Sequence, residues 1–341
     1  MTLAPPRPTA PARAVVPVID RIAAECEVLS ADAVRCAGTE VHRPADAPVA
    51  GDSWSSATLA GRLYLRYHLG VPGADARPAD HRPAFTREDP RLGAALRRAN
   101  ACSDSWEPGW RMVGSDGPDG RVVVRDGLRL FVTRGEVRPF EAPPGSPVEV
   151  RFPADRPFAS PGFFLTVSSR GPAQAPEGVA RWYVAVTAGS APGLFGAMTS
   201  ALEGMGVRFV MKVLNDPAEY PRPDAAVVYV PRADVARLAP TVFGVVSGFE
   251  LQERVPSFAR RLAGGLAIAD DPPSTGHPMS FGQHRCALVA RGLVAAGPGS
   301  TPAERRAAVL ESFATEGVDP ARPHLNPGVP EFDLEEPSWP S

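Results

Sequence analysis

The sequence predicts an α+β fold, with a helical N-terminal part followed by a mixed, antiparallel-sheet region. Three observations point there. Helical spacing dominates as far as Ala101, alternating apolar strand fragments take over after it, and the later strands and helices follow one another without a regular βαβ alternation. At 341 residues the chain can bury a core as one large domain or two smaller ones.

Each element has its own signal. Residues 1–13, rich in proline and without a continuous apolar run, read as a disordered tail and not a signal peptide. Apolar residues at Val15, Val18, Ile19, Ile22, Ala23 and Cys26 predict a helix from Val15 to Leu29. Leu59, Leu63, Tyr64 and Tyr67 mark one face of a helix over 55–69, and Pro90 after Asp89 opens a third over 90–101. The segment VVVRDGLRLFV (122–132) predicts a β-hairpin turning at Asp126-Gly127. Strand-like fragments EVRPF and PVEVRF lie between prolines in 134–161.

Strands are expected next at 162–169 and 181–187, then a helix ended by Gly206. Strands over 207–215 and 225–231 follow, and a short helix from Asp234 to Val245. SFGQHRCALVARGLVAAG is expected to begin as a loop and become a helix. TPAERRAAVLESFATEG (301–317) predicts a last helix, with Thr301 as N-cap and Glu304 completing a capping box. The expected division is a helix-rich region with a hairpin over 14–140 and an α+β catalytic domain over 141–335. No internal repeat is visible.

Composition narrows the function. A net charge of −2 supplies no strong basic field for nucleic acid. No stretch approaches the roughly 20 apolar residues of a membrane helix. Cys26, Cys36, Cys102 and Cys286 are scattered, with no C-x-x-C pair, which points to reduced thiols and a cytoplasmic location. Among 36 Lys and Arg residues, Lys212 is the only lysine. Arginine stays protonated in proteins, whereas lysine loses its proton once burial lowers its pKa. In an extended VRFVMKVLN, Arg208, Val210, Lys212 and Leu214 share one face, and Phe209, Met211 and Val213 the core face. A half-buried Lys212 beside Arg208 suits a general base. If 225–231 pairs with 207–215, Tyr229 comes within reach of Lys212 and Arg222 sits in the connection, with Arg232 just beyond.

The run MKVLNDPAEYPRPDAAVVYVP, with Lys212, Arg222 and Tyr229, resembles the K-V-T-D…R…Q-F-T-L-Y run of bacterial phosphothreonine lyases. Residues 160–295 resemble more closely the HopA-type effector domain. The features in common are Arg181-Trp182-Tyr183, the run from Lys212 to Tyr229, GGLAIADDP (264–272) and SFGQHR (280–285). Weaker similarity extends to SW…GW at 105–110 and to DGLRLFV. The resemblance implies a phosphothreonine-lyase-like fold and a stand-alone lyase of class V lanthipeptide and related ribosomal peptide pathways. A separate Ser/Thr kinase would phosphorylate the precursor peptide, and this chain would eliminate the phosphate to leave dehydroalanine or dehydrobutyrine.

That reaction needs a base for the Cα proton, the role implied for Lys212. It needs cations for the phosphate, with Arg222 and Arg285 first and Arg208, Arg181 and Arg232 behind them. It also needs an acid for the departing oxygen. Where the phosphothreonine lyases carry a K-F-H strand with an acid histidine, this sequence has Arg181-Trp182-Tyr183, so Tyr183 or His284 is the expected acid. No metal or organic cofactor is required. His42, His68, His81, His277 and His324 are expected to be structural or solvated. A kinase is disfavoured without G-x-G-x-x-G, H-R-D or D-F-G. The spacing of His277, His284 and Cys286 matches no common zinc pattern. The alternative is a non-enzymatic, effector-like module that binds a peptide or protein.

Overall fold

The computed structural model describes residues 16–49, 51–71, 88–157, 159–272 and 279–334. In chain order, α1 (Val16–Glu25) leads into β1 (Cys26–Ser30), β2 (Ala33–Cys36) and β3 (Thr39–His42), followed by α2 (Gly51–Leu63). Next come α3 (Pro90–Ala99), β4 (Ser105–Ser115), β5 (Gly120–Arg125), β6 (Leu128–Thr133), β7 (Val137–Arg138) and β8 (Pro147–Phe152). The middle of the chain holds β9 (Phe163–Val167), β10 (Val179–Val184), α4 (Ala191–Gly204), β11 (Val210–Leu214), β12 (Ala226–Pro231) and α5 (Val235–Val246). The chain closes with β13 (Arg260–Ala263), β14 (Leu266–Asp270), α6 (Phe281–Ala296) and α7 (Pro302–Thr315). The fold class is α+β, with antiparallel pairing throughout the described strand pairs. Among the described residues, no helix is long and apolar enough to cross a membrane.

The elements cluster into two compact units interleaved in sequence. The first holds 1–81, 254–262 and 267–331; the second holds 82–253, 263–266 and 332–341. The expected tail at 1–13 lies outside the described residues.

In the first unit, the helix expected to reach Leu29 stops at Glu25. Cys26 and Val28 are buried on a strand whose register sets Cys26 opposite Cys36 and Val28 opposite Val34. β-Branched and small side chains that alternate in and out fit a pleated sheet better than a helix face. The second expected helix begins earlier, as α2, and passes at Leu63 into a π-helical turn over Tyr64–His68. Two glycines set helix spacing. A Cβ at Gly292 would lie 2.4 Å from Cα of Val309, so α6 and α7 touch through backbone there. A Cβ at Gly282 would lie 2.3 Å from the His68 ring. Arg305, buried on α7, donates to the carbonyl of Ala23 (2.7 Å) and to Glu27 (3.0 Å), tying α7 to the α1–β1 junction.

In the second unit, one five-stranded sheet runs in the order β6-β5-β4-β8-β7 over a core of Trp110, Met112, Val123, Val132, Val137, Val148 and Val150. The hairpin falls where the sequence places it. Asp126 (φ 49°) and Gly127 (φ 82°) both take left-handed backbone, the signature of a type I′ turn. The second sheet carries β10-β12-β11-β9 in that order. Its core face holds Phe164, Met211 and Trp182, all fully buried. Phe164 meets Phe195 of α4 edge-on at 5.6 Å, and Trp182 meets Phe243 of α5 at 5.8 Å. The opposite face carries Lys212.

Candidate active site

β11 runs between β9 and β12, so Lys212 is flanked by Leu165 on one side and Val227 on the other. Its strand neighbours Met211 and Val213 point into the core at 0% exposure, as the alternation predicts. Lys212 itself is half-buried. Among the described residues it makes no ion pair or hydrogen bond; what surrounds its amine is aromatic. Nζ lies 4.2 Å from the centre of the Phe163 ring and 5.9 Å from that of Tyr229. Each ring also serves an arginine. The Arg222 guanidinium stands 5.4 Å from Phe163, and that of Arg181 4.9 Å from Tyr229. Three basic side chains, Lys212 and Arg181 from the sheet and Arg222 from the connection, thereby share two rings, and the ring quadrupole favours each of them when charged.

The connection from β11 to β12 fixes Arg222. Asp216 caps the 3-10 turn Pro217–Glu219 by accepting from the amide of Ala218 at 2.9 Å. The Tyr220 hydroxyl donates to the carbonyl of Leu214 at 3.0 Å, and burial pushes its pKa upward. Arg222, 6% exposed, then donates through Nε and Nη2 to the two oxygens of buried Asp224, each at 2.8 Å. Nη1 reaches Glu219 at 3.4 Å. This fork-to-fork pairing holds the guanidinium plane in one orientation.

The remaining candidates separate by position. Arg181 and Tyr229 are direct cross-strand partners, and Tyr183 stands opposite Val227, in the row that contains Lys212. Tyr183 is 1% exposed, deep in the sheet, whereas Tyr229 is half-buried. Arg208 is exposed just before β11 and makes no ion pair among the described residues. Arg232 stacks on Phe332 at 4.6 Å.

Arg285 and His284 belong to the first unit. The stretch expected as a loop is helical from Phe281, because Ser280 and Gln283 form a capping box, and His284 therefore stands in the first turns of α6. Arg285 is fully buried and donates to the carbonyls of Pro323 (2.6 Å) and Leu325 (2.8 Å) and to Nδ1 of His284 (2.7 Å). That is the geometry of a clamp on the 323–326 segment. Burial first, then the Arg285 charge, lowers the His284 pKa to about 4, which leaves the imidazole neutral at pH 7. Among the other histidines, His42 is solvent-facing beside Glu40, His68 is buried against Tyr64 and Phe281, and His324 is buried against Glu331. His81 and His277 lie outside the described residues. Among those residues, no group of three or more His, Cys, Asp or Glu is placed to hold a metal. Phe163 and Asp224 are site residues that sequence reasoning missed.

Residues 154–325 match the HopA1 effector protein family. The chain belongs to that family. The matched span contains every strand of the Lys212 face. No curated protein matches this HopA1-family chain. Among solved structures it is similar to the effector protein from Pseudomonas syringae pv. tomato strain DC3000, at 15% identity, covering 80% of this chain and 99% of that one with a TM-score of 0.43. It is also similar to the effector protein from Pseudomonas syringae pv. syringae strain 61, at 17% identity, covering 81% and 98% with a TM-score of 0.44.

Proposed function

We propose that this HopA1-family chain is a phosphoserine/phosphothreonine lyase that acts on a phosphorylated ribosomal precursor peptide in lanthipeptide biosynthesis. The observation that carries the reading is Lys212: the sole lysine, half-buried, with no carboxylate partner among the described residues and with Arg181 and Arg222 on the aromatic rings beside it. A lysine kept for charge alone would be interchangeable with arginine, which this sequence prefers elsewhere.

In the proposed step Lys212, unprotonated, takes the Cα proton of the phosphorylated residue. The electron pair of the broken C–H bond forms the Cα=Cβ double bond, the Cβ–O bond breaks, and phosphate leaves with both electrons of that bond. Arg222 and Arg181 receive the phosphate charge, and Arg208, exposed just before β11, is assigned to meet an incoming anion. Tyr229, half-buried with its ring 5.9 Å from the amine, is the choice to protonate the departing oxygen. Tyr183 is deeper, and His284, neutral at pH 7, is a weaker source of a proton. Arg285 is assigned to the fold. Nothing in the step calls for a metal or organic cofactor. A separate Ser/Thr kinase acts upstream, and both work in the cytoplasm.

The test is mass spectrometry of a Ser/Thr precursor peptide, phosphorylated by its kinase and incubated with the protein. Loss of one phosphoric acid, with a product that adds a thiol at the new double bond, supports the lyase. A phosphopeptide that binds and stays intact supports the binding-module alternative.

A further inference from the structure

We infer that Phe163 is a positioning residue that sets the spacing between the proton-abstracting amine and the phosphate-holding guanidinium. The inference rests on the lyase reading and deepens it. Lys212 and Arg222 come from different elements, a strand and the loop that follows it. What they have in common is one ring: Phe163 lies 4.2 Å from Nζ of Lys212 and 5.4 Å from the guanidinium of Arg222. The ring comes from β9, on the far side of β11 from β12, where Phe163 stands opposite Leu214 and Leu165 opposite Lys212. Phe163 is 7% exposed, and the register with β11 fixes its backbone.

Once Lys212 has taken the proton it becomes a second cation near Arg222, and a rigid ring within reach of both offsets their repulsion with attraction to each. An elimination needs the base at Cα and the cation at the non-bridging phosphate oxygens, four bonds further along the same residue. The ring holds these two groups apart at a fixed distance, and a displacement of about 1 Å in such an arrangement costs on the order of 100-fold in rate. An aliphatic side chain would fill the volume and supply no such face.

The experiment compares wild type, Phe163→Leu and Phe163→Tyr on the kinase-phosphorylated precursor peptide, with kcat, KM and melting temperature read for each. The expected result is a kcat for Phe163→Leu lower by roughly 10-fold or more with KM within roughly threefold, and a kcat restored to within roughly threefold of wild type by Phe163→Tyr. If Phe163→Leu turns over like wild type, the inference is overturned and the lyase reading stands. If both variants lose activity in step with a lowered melting temperature, Phe163 serves only packing and the inference is again overturned. If wild type leaves the peptide intact, the lyase reading fails and takes the inference with it.

Discussion

Removing the Asp224 carboxylate tests how the site's main arginine is held. Arg222 and Asp224 make two parallel bonds of 2.8 Å, with side chains 7% and 5% exposed. Deleting one partner of a buried pair leaves the other charge uncompensated, at a cost of about 3–5 kcal/mol. Glu219, 3.4 Å from Nη1 and partly exposed, offsets some of that and places Asp224→Ala near the lower end, about 3 kcal/mol. For a unit of this size that is roughly 6–12 °C in melting temperature. Calorimetry or urea unfolding followed by tryptophan fluorescence measures it. The double variant Arg222→Met/Asp224→Leu supplies the sign test, because replacing both charges with apolar groups removes the uncompensated cation and recovers most of the loss. A loss below about 1 kcal/mol for Asp224→Ala, or a double variant worse than the single, would refute the reasoning that the pair is a desolvated clamp.

Two further predictions concern the first unit. Gly292→Ala places a methyl 2.4 Å from Cα and 2.7 Å from the amide nitrogen of Val309, backbone that cannot rotate away, so α6 and α7 must separate; thermal melting should show a loss of about 1–3 kcal/mol. His284 has a folded-state pKa near 4 against an ordinary 6.5, so its contribution to stability is full above pH 6.5 and is lost as pH falls through 4. His284→Gln keeps an acceptor for Arg285 but cannot titrate. Between pH 7 and pH 4 its melting temperature should fall less than that of wild type, and parallel curves would contradict this.

Much of the Lys212 face was legible because its signals are local. Alternation in VRFVMKVLN puts Lys212 opposite the core side, the tight connection to AAVVYVP pairs β11 with β12, and that pairing brings Tyr229 to Val210 and its ring toward the amine. Phe163 was not legible. Its segment reads as a strand, but which strand it joins, and in what register, depends on non-local pairing of β9 with β11. The same limit applies to Asp224: a carboxylate two residues after an arginine in a proline-rich loop carries no sign of a bidentate pair. His284 and Arg285 misled in the opposite direction. A glycine ahead of them suggests a loop, yet the Ser280–Gln283 capping box starts the helix before either. The π-helical turn at Tyr64–His68 and the short β1–β3 meander lie in stretches whose apolar spacing fits a helix nearly as well.

The most direct measurement pairs turnover with binding for wild type and Lys212→Arg. Phosphopeptide affinity is read by fluorescence anisotropy and elimination by mass spectrometry. Arginine keeps the positive charge and cannot act as the base, so affinity should stay within roughly threefold while turnover falls by about 100-fold to 10,000-fold. A Lys212→Arg variant that eliminates phosphate as fast as wild type would contradict the account at its centre.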